Sequence, residues 1–295
     1  MRIYLTGSSG FVGTSFINYF KADNITRYKS GDKIKIDTSS AVIHLAGKAH
    51  DLKKTSNPDE YYQVNTELTK EVFNAFLNSD AKLFITLSSV KAVADEVAGE
   101  LEEDVIPNPS THYGKSKLLA EQYILSKPIP EGKRVFVLRP CMIHGPGNKG
   151  NLNLLYSLVC KGFPWPLGSF ENKRSFCSID NLIFVIKELI EREDIPSGVY
   201  NVADDLPLST NEVISILAES LHKKTKIWNI SVTLIKLIAK SGDLLRLPLT
   251  TERLQKLTES YVVCNRKIKS VLGKDFPVSA KAGLLKTFQS FSANA

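Results

Sequence analysis

The chain has 295 residues, 43% hydrophobic and 23% charged, the balance of an ordinary globular protein with enough material for a sizeable core. Its formal charge of +7 favours anionic partners, but the Lys and Arg are scattered rather than gathered into a block, which argues against nucleic acid. No apolar run is long enough to cross a bilayer, no signal peptide precedes the strand-like MRIYLTG, and the four cysteines include no C-x-x-C pair, so the expectation is a cytoplasmic chain with free thiols, no zinc or other metal site and no disulfide framework.

In chain order, residues 3–5 read as a short apolar strand, followed at once by TGSSGFVG over residues 6–13. Gly7, Gly10 and Gly13 form a G-x-x-G-x-x-G array that opens an amphipathic helix over 14–20. In a dinucleotide site the first glycine permits the sharp turn, the second lets backbone N–H groups approach a pyrophosphate, and the third lets helix and strand pack closely. The phosphates then lie at the positive end of the helix. Residues 25–28 read as a second strand, whose end usually carries an acid for the adenosine ribose. Arg27 and Lys29 stand there instead, and they either accommodate a 2′-phosphate, favouring NADP over NAD, or are simply solvated. Only Lys29, Ser30, Gly31 and Asp32 separate this strand from residues 33–37, whereas parallel neighbours need a crossover of about a dozen residues. Either 33–37 returns antiparallel as a hairpin, or only one of the two segments is a strand. Both cases leave Arg27 and Asp37 to contact the cofactor across a comparatively open, weakly binding adenosine pocket.

Nearly continuous apolar runs at 41–46, 83–87 and 135–138 alternate with helical stretches at 60–78 and 113–125. That rhythm predicts an α/β fold with a doubly wound parallel sheet. After Pro140, residues 144–174 are rich in Gly, Pro and Asn and read mostly as loop, with one helix at 152–161. A helix at 181–193, a strand at 199–202 and helices at 211–221, 232–245 and 281–291 follow. The expected division is a dinucleotide-binding domain of residues 1–145 plus 177–203 and a smaller, mainly helical substrate domain of 146–176 plus 204–295. Within 232–245, Leu234, Ile235, Leu237, Ile238, Leu244 and Leu245 are expected to pack onto that domain, with a membrane-surface helix as the alternative.

Tyr113 and Lys117 lie four residues apart in HYGKSK, on one face of a predicted helix. An ammonium beside a phenol favours the phenolate, and such a tyrosine exchanges a proton with a sugar hydroxyl or ketone as hydride moves. Ser88 and Ser89 end the strand at 83–87, at the carboxyl edge where this fold class builds its sites, and a hydroxyl there can hold the substrate oxygen beside the tyrosine.

TGSSGFVG, VIHLAG at 42–47, SSVK at 88–91, YGKSK at 113–117 and RPCMIHGPG at 139–147, in that order, resemble the extended short-chain dehydrogenase/reductase family, the NAD-dependent epimerase/dehydratases of sugar nucleotides. The resemblance spans nearly the whole chain. It implies a Rossmann fold in which Tyr113 is the acid/base, Lys117 orients the nicotinamide ribose and Ser89 bridges to the substrate. It also implies cofactor contacts from Phe11 and Val12 in the glycine loop, from Leu45, Ala46 and Gly47, from Asn65 in YYQVN beneath the site, and from Pro140. GPGNKGN at 145–151 and PLGSFENKRSF at 166–176 resemble the substrate loops of UDP-hexose 4-epimerases and of 4-keto-sugar reductases in surface-polysaccharide synthesis. That likeness implies that Asn151 and Leu152 line the sugar diphosphate, Trp165 and Leu167 edge the uracil, Arg174 grips the phosphates and Lys91 adds a further substrate contact. Asp180 and Asn181 match the family's acidic pair but read as a helix cap.

The sequence departs from the family in its short 14–41 segment and in Val90 and Lys91 after Ser89, where dehydratases carry Asp-Glu. Elimination of water is therefore unsupported. The expected activity is NAD(P)-dependent hydride transfer at C4 of a UDP-sugar, as an epimerase or, with NADPH, as a 4-keto-sugar reductase; the sequence leaves the oligomeric state open, a homodimer being one possibility. A non-catalytic cofactor sensor or scaffold on the same fold would want Tyr113, Lys117 or Ser89 missing, and all three are present.

Overall fold

The computed structural model describes residues 1–20, 25–36, 40–49, 57–148, 150–245 and 249–292. Along the chain, β1 (Ile3–Thr6), α1 (Phe11–Phe20), β2 (Ile25–Arg27) and β3 (Ala41–His44) precede a helix whose first turn, α2 (Pro58–Tyr61), passes through a π-helical turn (Tyr62–Glu67) into α3 (Leu68–Leu77). Then come β4 (Leu83–Leu87), a 3₁₀ turn (Val90–Ala92), β5 (Glu100–Leu101), α4 (His112–Leu125), β6 (Arg134–Pro140) and β7 (Met142–His144). The remainder is α5 (Asn151–Cys160), β8 (Phe176–Ser178), α6 (Ile179–Glu191), β9 (Gly198–Val202), α7 (Thr210–Ser220), α8 (Val232–Leu245), α9 (Thr251–Thr258), β10 (Val262–Val263), α10 (Arg266–Leu272) and α11 (Ala280–Ser292).

Six strands form one parallel sheet in the order β2-β1-β3-β4-β6-β9. Every residue of β1 and β3 is buried, as strands covered on both faces must be. Alternate side chains feed two layers. Leu5, Ile43, Ile85 and Phe136 meet Phe16 of α1 and Leu182, Val185 and Ile186 of α6 on one face. Tyr4, Val42, Phe84 and Val135 meet Val72, Phe73 and Phe76 of α3 and Ile124 of α4 on the other. This is the doubly wound Rossmann architecture, and its strand order reverses between β1 and β3, where such sheets open a ligand crevice.

The shortened segment resolves into one strand, not two. β2 pairs parallel with β1, residues 29–32 turn, and 33–36 form no strand; Asp37 lies outside the described residues. Ile36 is buried and Ile34 half-buried against Tyr4 and Val42, so this stretch covers a sheet face instead of extending the edge.

A second apolar cluster joins Leu152, Val159, Ile214, Leu217, Ile235, Leu254, Leu284 and Phe288 from α5, α7, α8, α9 and α11. We take it as the core of the substrate domain. Tyr261, Val263, Ile268, Leu272 and Phe276 return to the sheet's own cluster, and β10 pairs with β5. Short strands β7 and β8, absent from the sequence reading, pair with each other. The expected Asp180–Asn181 cap is in fact Ser178, whose hydroxyl accepts the Asn181 N–H. Asn181 instead donates to Asp204 at 2.7 Å and to the Val278 carbonyl at 2.8 Å, while Asp180 pairs with Lys286.

Candidate active site

The glycine loop is built by steric exclusion. Gly7 has φ +74°, and a Cβ there would fall 2.4 Å from the Ala46 nitrogen. A Cβ on Gly13 would fall 2.1 Å from the Gly7 carbonyl oxygen, while the Gly10 N–H donates to that oxygen at 3.0 Å. Helix α1 starts at Phe11, earlier than its periodicity suggested, and has no acid in its first turn to oppose an anion. Phe11 and Val12 lie half-buried against the sheet cluster.

His44 anchors the opposite wall. Thr69 donates its hydroxyl hydrogen to the Asn65 carbonyl at 2.8 Å, so His44 Nε2 donates to Thr69 Oγ1 at 2.8 Å. Nδ1 then accepts from Thr6 Oγ1 at 2.7 Å, and that oxygen accepts the Ala46 N–H at 3.2 Å. Burial, reinforced by the Lys117 charge, lowers the His44 pKa from 6.5 to about 3. The folded value lies below the unfolded one, so the stability contributed by neutral His44 is complete above about pH 6.5 and is lost as pH falls toward 3. At about pH 4.5 this group alone should cost roughly 2–3 kcal/mol. Urea unfolding of wild type and His44→Asn across this range should show a flatter acid limb for the variant; identical limbs would remove His44 as the cause.

Ser89 follows β4 by two residues and caps the 3₁₀ turn, its hydroxyl accepting the Lys91 N–H at 3.2 Å. The start of α4 is fixed by Thr111, which caps Gly114 N–H at 3.1 Å, and by Asp95, which accepts from Ser110 N and Oγ at 2.6 Å each. Tyr113 is thereby held against Ser89, and the two side chains are hydrogen-bonded. One turn on, Lys117 Nζ donates to the Leu87 carbonyl at 2.8 Å. That ammonium and the Asn65 amide oxygen lie 3.0 and 3.2 Å from where a Cβ on Gly47 would be. Asn65, fully buried in the π-helical turn, accepts Lys48 N–H at 2.8 Å and donates to Lys48 O and to Ser116 Oγ. π-Turns inside helices recur at functional sites because they redirect one side chain.

Burial raises the Tyr113 phenol above its usual value, with the Ser89 hydrogen bond opposing it. Burial likewise lowers Lys117 to about 8, opposed by Glu121. The expected depression of the phenol by Lys117 is not found: what lowers the phenol is the Ser89 hydrogen bond, and burial is the largest influence on both groups. Ser89, Tyr113, Lys117, Gly47 and Asn65 gather at the carboxyl ends of β3 and β4, beside the glycine loop. This set fits a nicotinamide dinucleotide. The loop leaves no room for side chains at Gly7 and Gly13, and among the described residues Lys117 has one hydrogen-bond acceptor, leaving N–H donors for ribose hydroxyls.

The other predicted residues are distributed differently. Arg27 is exposed at the end of β2, and Pro140 is buried at the end of β6. Leu45, half-buried, packs on the sheet cluster, and Ala46 faces Gly7 with its backbone. Leu152, Trp165 and Leu167 are buried in the helical cluster, and the Trp165 indole donates to Asn211 at 3.0 Å. Their backbone bridges to Ile227 and Asn229 at residues 165 and 167. The Asn151 side chain lies outside the described residues. Arg174 donates to the Lys256 carbonyl at 2.7 Å and pairs with Glu259 at 3.4 Å. Lys91 sits nearby, over the Tyr261 ring at 4.2 Å and bonded to the Asp95 carbonyl, and it too feels Glu259.

A model of the NAD dependent epimerase/dehydratase family matches residues 3–203. The UDP-glucose 4-epimerase of Vibrio cholerae is 30% identical, across 98% of this chain and 95% of that protein. The GDP-6-deoxy-D-mannose reductase of Pseudomonas aeruginosa is 28% identical, across 74% of this chain and 79% of its own length. Among solved structures, a UDP-glucuronic acid 4-epimerase from Bacillus cereus in complex with NAD matches with a TM-score of 0.77 over 100% of this chain and 99% of that one; at 17% identity this is a likeness of fold.

Proposed function

Because the chain belongs to the NAD dependent epimerase/dehydratase family, we propose that it interconverts the C4 epimers of a UDP-hexose by hydride transfer. The observation that supports this most is the hydrogen-bonded Ser89–Tyr113 pair with Lys117 one helical turn away, at the crevice beside the glycine loop. A bound nicotinamide would supply the hydride acceptor and donor. Tyr113 takes the O4 proton as C4 loses hydride and returns it when the keto group is reduced from its other face. Ser89 holds the same oxygen, and Lys117 supplies donors and positive charge behind the phenol. No carboxylate follows Ser89, so nothing in this turn serves a dehydration.

The exposed Arg27 at the end of β2, in place of an acid, favours a second reading: an NADPH-dependent 4-keto-sugar reductase. Incubation with UDP-glucose and UDP-N-acetylglucosamine, with and without NADPH, separates the two. Epimer formed without net cofactor use supports the epimerase, and stoichiometric oxidation of NADPH by a 4-keto-sugar supports the reductase.

Arg174 is proposed to take the sugar diphosphate, its guanidinium then sharing itself between phosphate and Glu259. Arg174→Ala should raise the KM for UDP-sugar about 10- to 100-fold and leave dinucleotide affinity unchanged. An unaltered KM would assign Arg174 to joining the 174 segment to α9.

A further inference from the structure

Helix α8 packs with a narrow face. Its buried residues are Ile235, Ala239 and Gly242, at the i, i+4, i+7 spacing of a single stripe, and its main neighbour is α9. At about 100° per residue, Leu244, Leu237, Leu234, Leu245 and Ile238 fall, with Ser241, into one contiguous outward sector about 120° wide. Their exposures are 84, 61, 49, 65 and 42% respectively. The expectation that the large aliphatics of this helix pack onto the domain is therefore met by Ile235 alone. A single exposed leucine is ordinary, but a row of five along one helix is not.

The remaining sector carries Thr233, Lys240, Lys236 and Asp243, with the half-buried Val232 at its inner edge. The one carboxylate is turned to α9, where it accepts Thr251 N–H at 3.0 Å and Thr251 Oγ at 2.5 Å. Lys236 and Lys240 are exposed and, among the described residues, pair with no carboxylate. Lys224 and Lys226 are also exposed in the segment leading to the helix, as is Trp228 at 56%.

We propose that α8 docks the protein on an anionic phospholipid bilayer, lying in the interface plane with its leucine sector among the acyl chains and Lys236 and Lys240 at the headgroup phosphates. The charge pattern selects this occupant. An apolar stripe edged by unpaired lysines, with an exposed indole nearby, on a chain of net charge +7, complements a negative interface. A second copy fits less well, because a contact through one helix of about 20 Å covers far less than the roughly 800 Å² per partner of a stable interface. Spanning is not involved: no helix among the described residues is long and apolar enough to cross a membrane.

The test is co-sedimentation of the full chain with phosphatidylglycerol/phosphatidylethanolamine vesicles and with phosphatidylcholine vesicles, at low and high salt. Wild type should bind the anionic vesicles, lose binding as salt rises, and bind phosphatidylcholine poorly. Leu237→Glu/Leu244→Glu and Lys236→Glu/Lys240→Glu should each cut binding to anionic vesicles roughly tenfold or more. Both pairs are exposed, so thermal stability and UDP-sugar turnover should stay at wild-type values and exclude misfolding. Wild type that remains in solution with anionic vesicles at low salt, or leucine variants that bind as well as wild type, would overturn the proposal. So would a wild-type dimer that Leu237→Glu dissociates, which would give this face to a second copy.

Discussion

Tyr113→Phe should lower kcat by roughly 10²- to 10⁴-fold and leave dinucleotide affinity within about a factor of three. The substitution removes one oxygen and keeps the ring, whose centroid lies 6.2 Å from that of Tyr61 in an edge-on contact. The proposed cofactor cradle is built from other parts: Gly7, Gly13, Ala46, Gly47 and the Lys117 ammonium. What disappears is the group proposed to exchange the O4 proton, together with its hydrogen bond to Ser89. Steady-state kinetics and dinucleotide titration of the variant measure both halves. A variant retaining most of its kcat would take Tyr113 out of the chemistry, and one that no longer binds cofactor would make the phenol a structural group.

Glu121→Ala should destabilise the fold by about 3–5 kcal/mol, because it strands a buried cation. Arg139 reaches Glu121 with Nε at 3.0 and 3.1 Å and with Nη2 at 2.6 Å, and the two side chains are only 5 and 2% exposed. Without Glu121, the guanidinium keeps the Glu103 carbonyl at 3.3 Å. Glu121 also lies one turn beyond Lys117 and holds that lysine's pKa up against burial, so its loss makes the ammonium harder to keep charged near neutrality. Glu121→Gln retains shape and an acceptor and should cost less. Urea unfolding of both variants is the measurement; a loss below about 1 kcal/mol for Glu121→Ala would mean that Arg139 finds water or another partner.

Legibility from sequence followed the range of each interaction. The β1–glycine loop–α1 unit, the Tyr113/Lys117 spacing and the serines ending β4 are local patterns, and each occupies the place its neighbours in sequence implied. His44 looked like part of an apolar strand because its partners, Thr6 and Thr69, lie 38 and 25 residues away. The Arg139–Glu121 pair was hidden for the same reason, although Glu121 at i+4 from Lys117 was a usable signal. Periodicity showed that α8 is amphipathic but not which side meets the domain, since packing was satisfied by Ile235, Ala239 and Gly242. Trp165 and Leu167 lie in a stretch that reads as loop and were expected to edge a uracil, yet pairing with residues 227 and 229 draws both side chains into the helical core.

Hydride transfer at C4, with Tyr113 moving the O4 proton, is tested most directly by following the C4 hydrogen itself. UDP-glucose and UDP-N-acetylglucosamine deuterated at C4 should be converted by the protein, in ordinary water and without added NADPH, into epimers that keep deuterium at C4. Under the same conditions Tyr113→Phe should form almost none. Epimer that has lost its deuterium to solvent, or product formed as fast by Tyr113→Phe as by wild type, would contradict hydride transfer at this site.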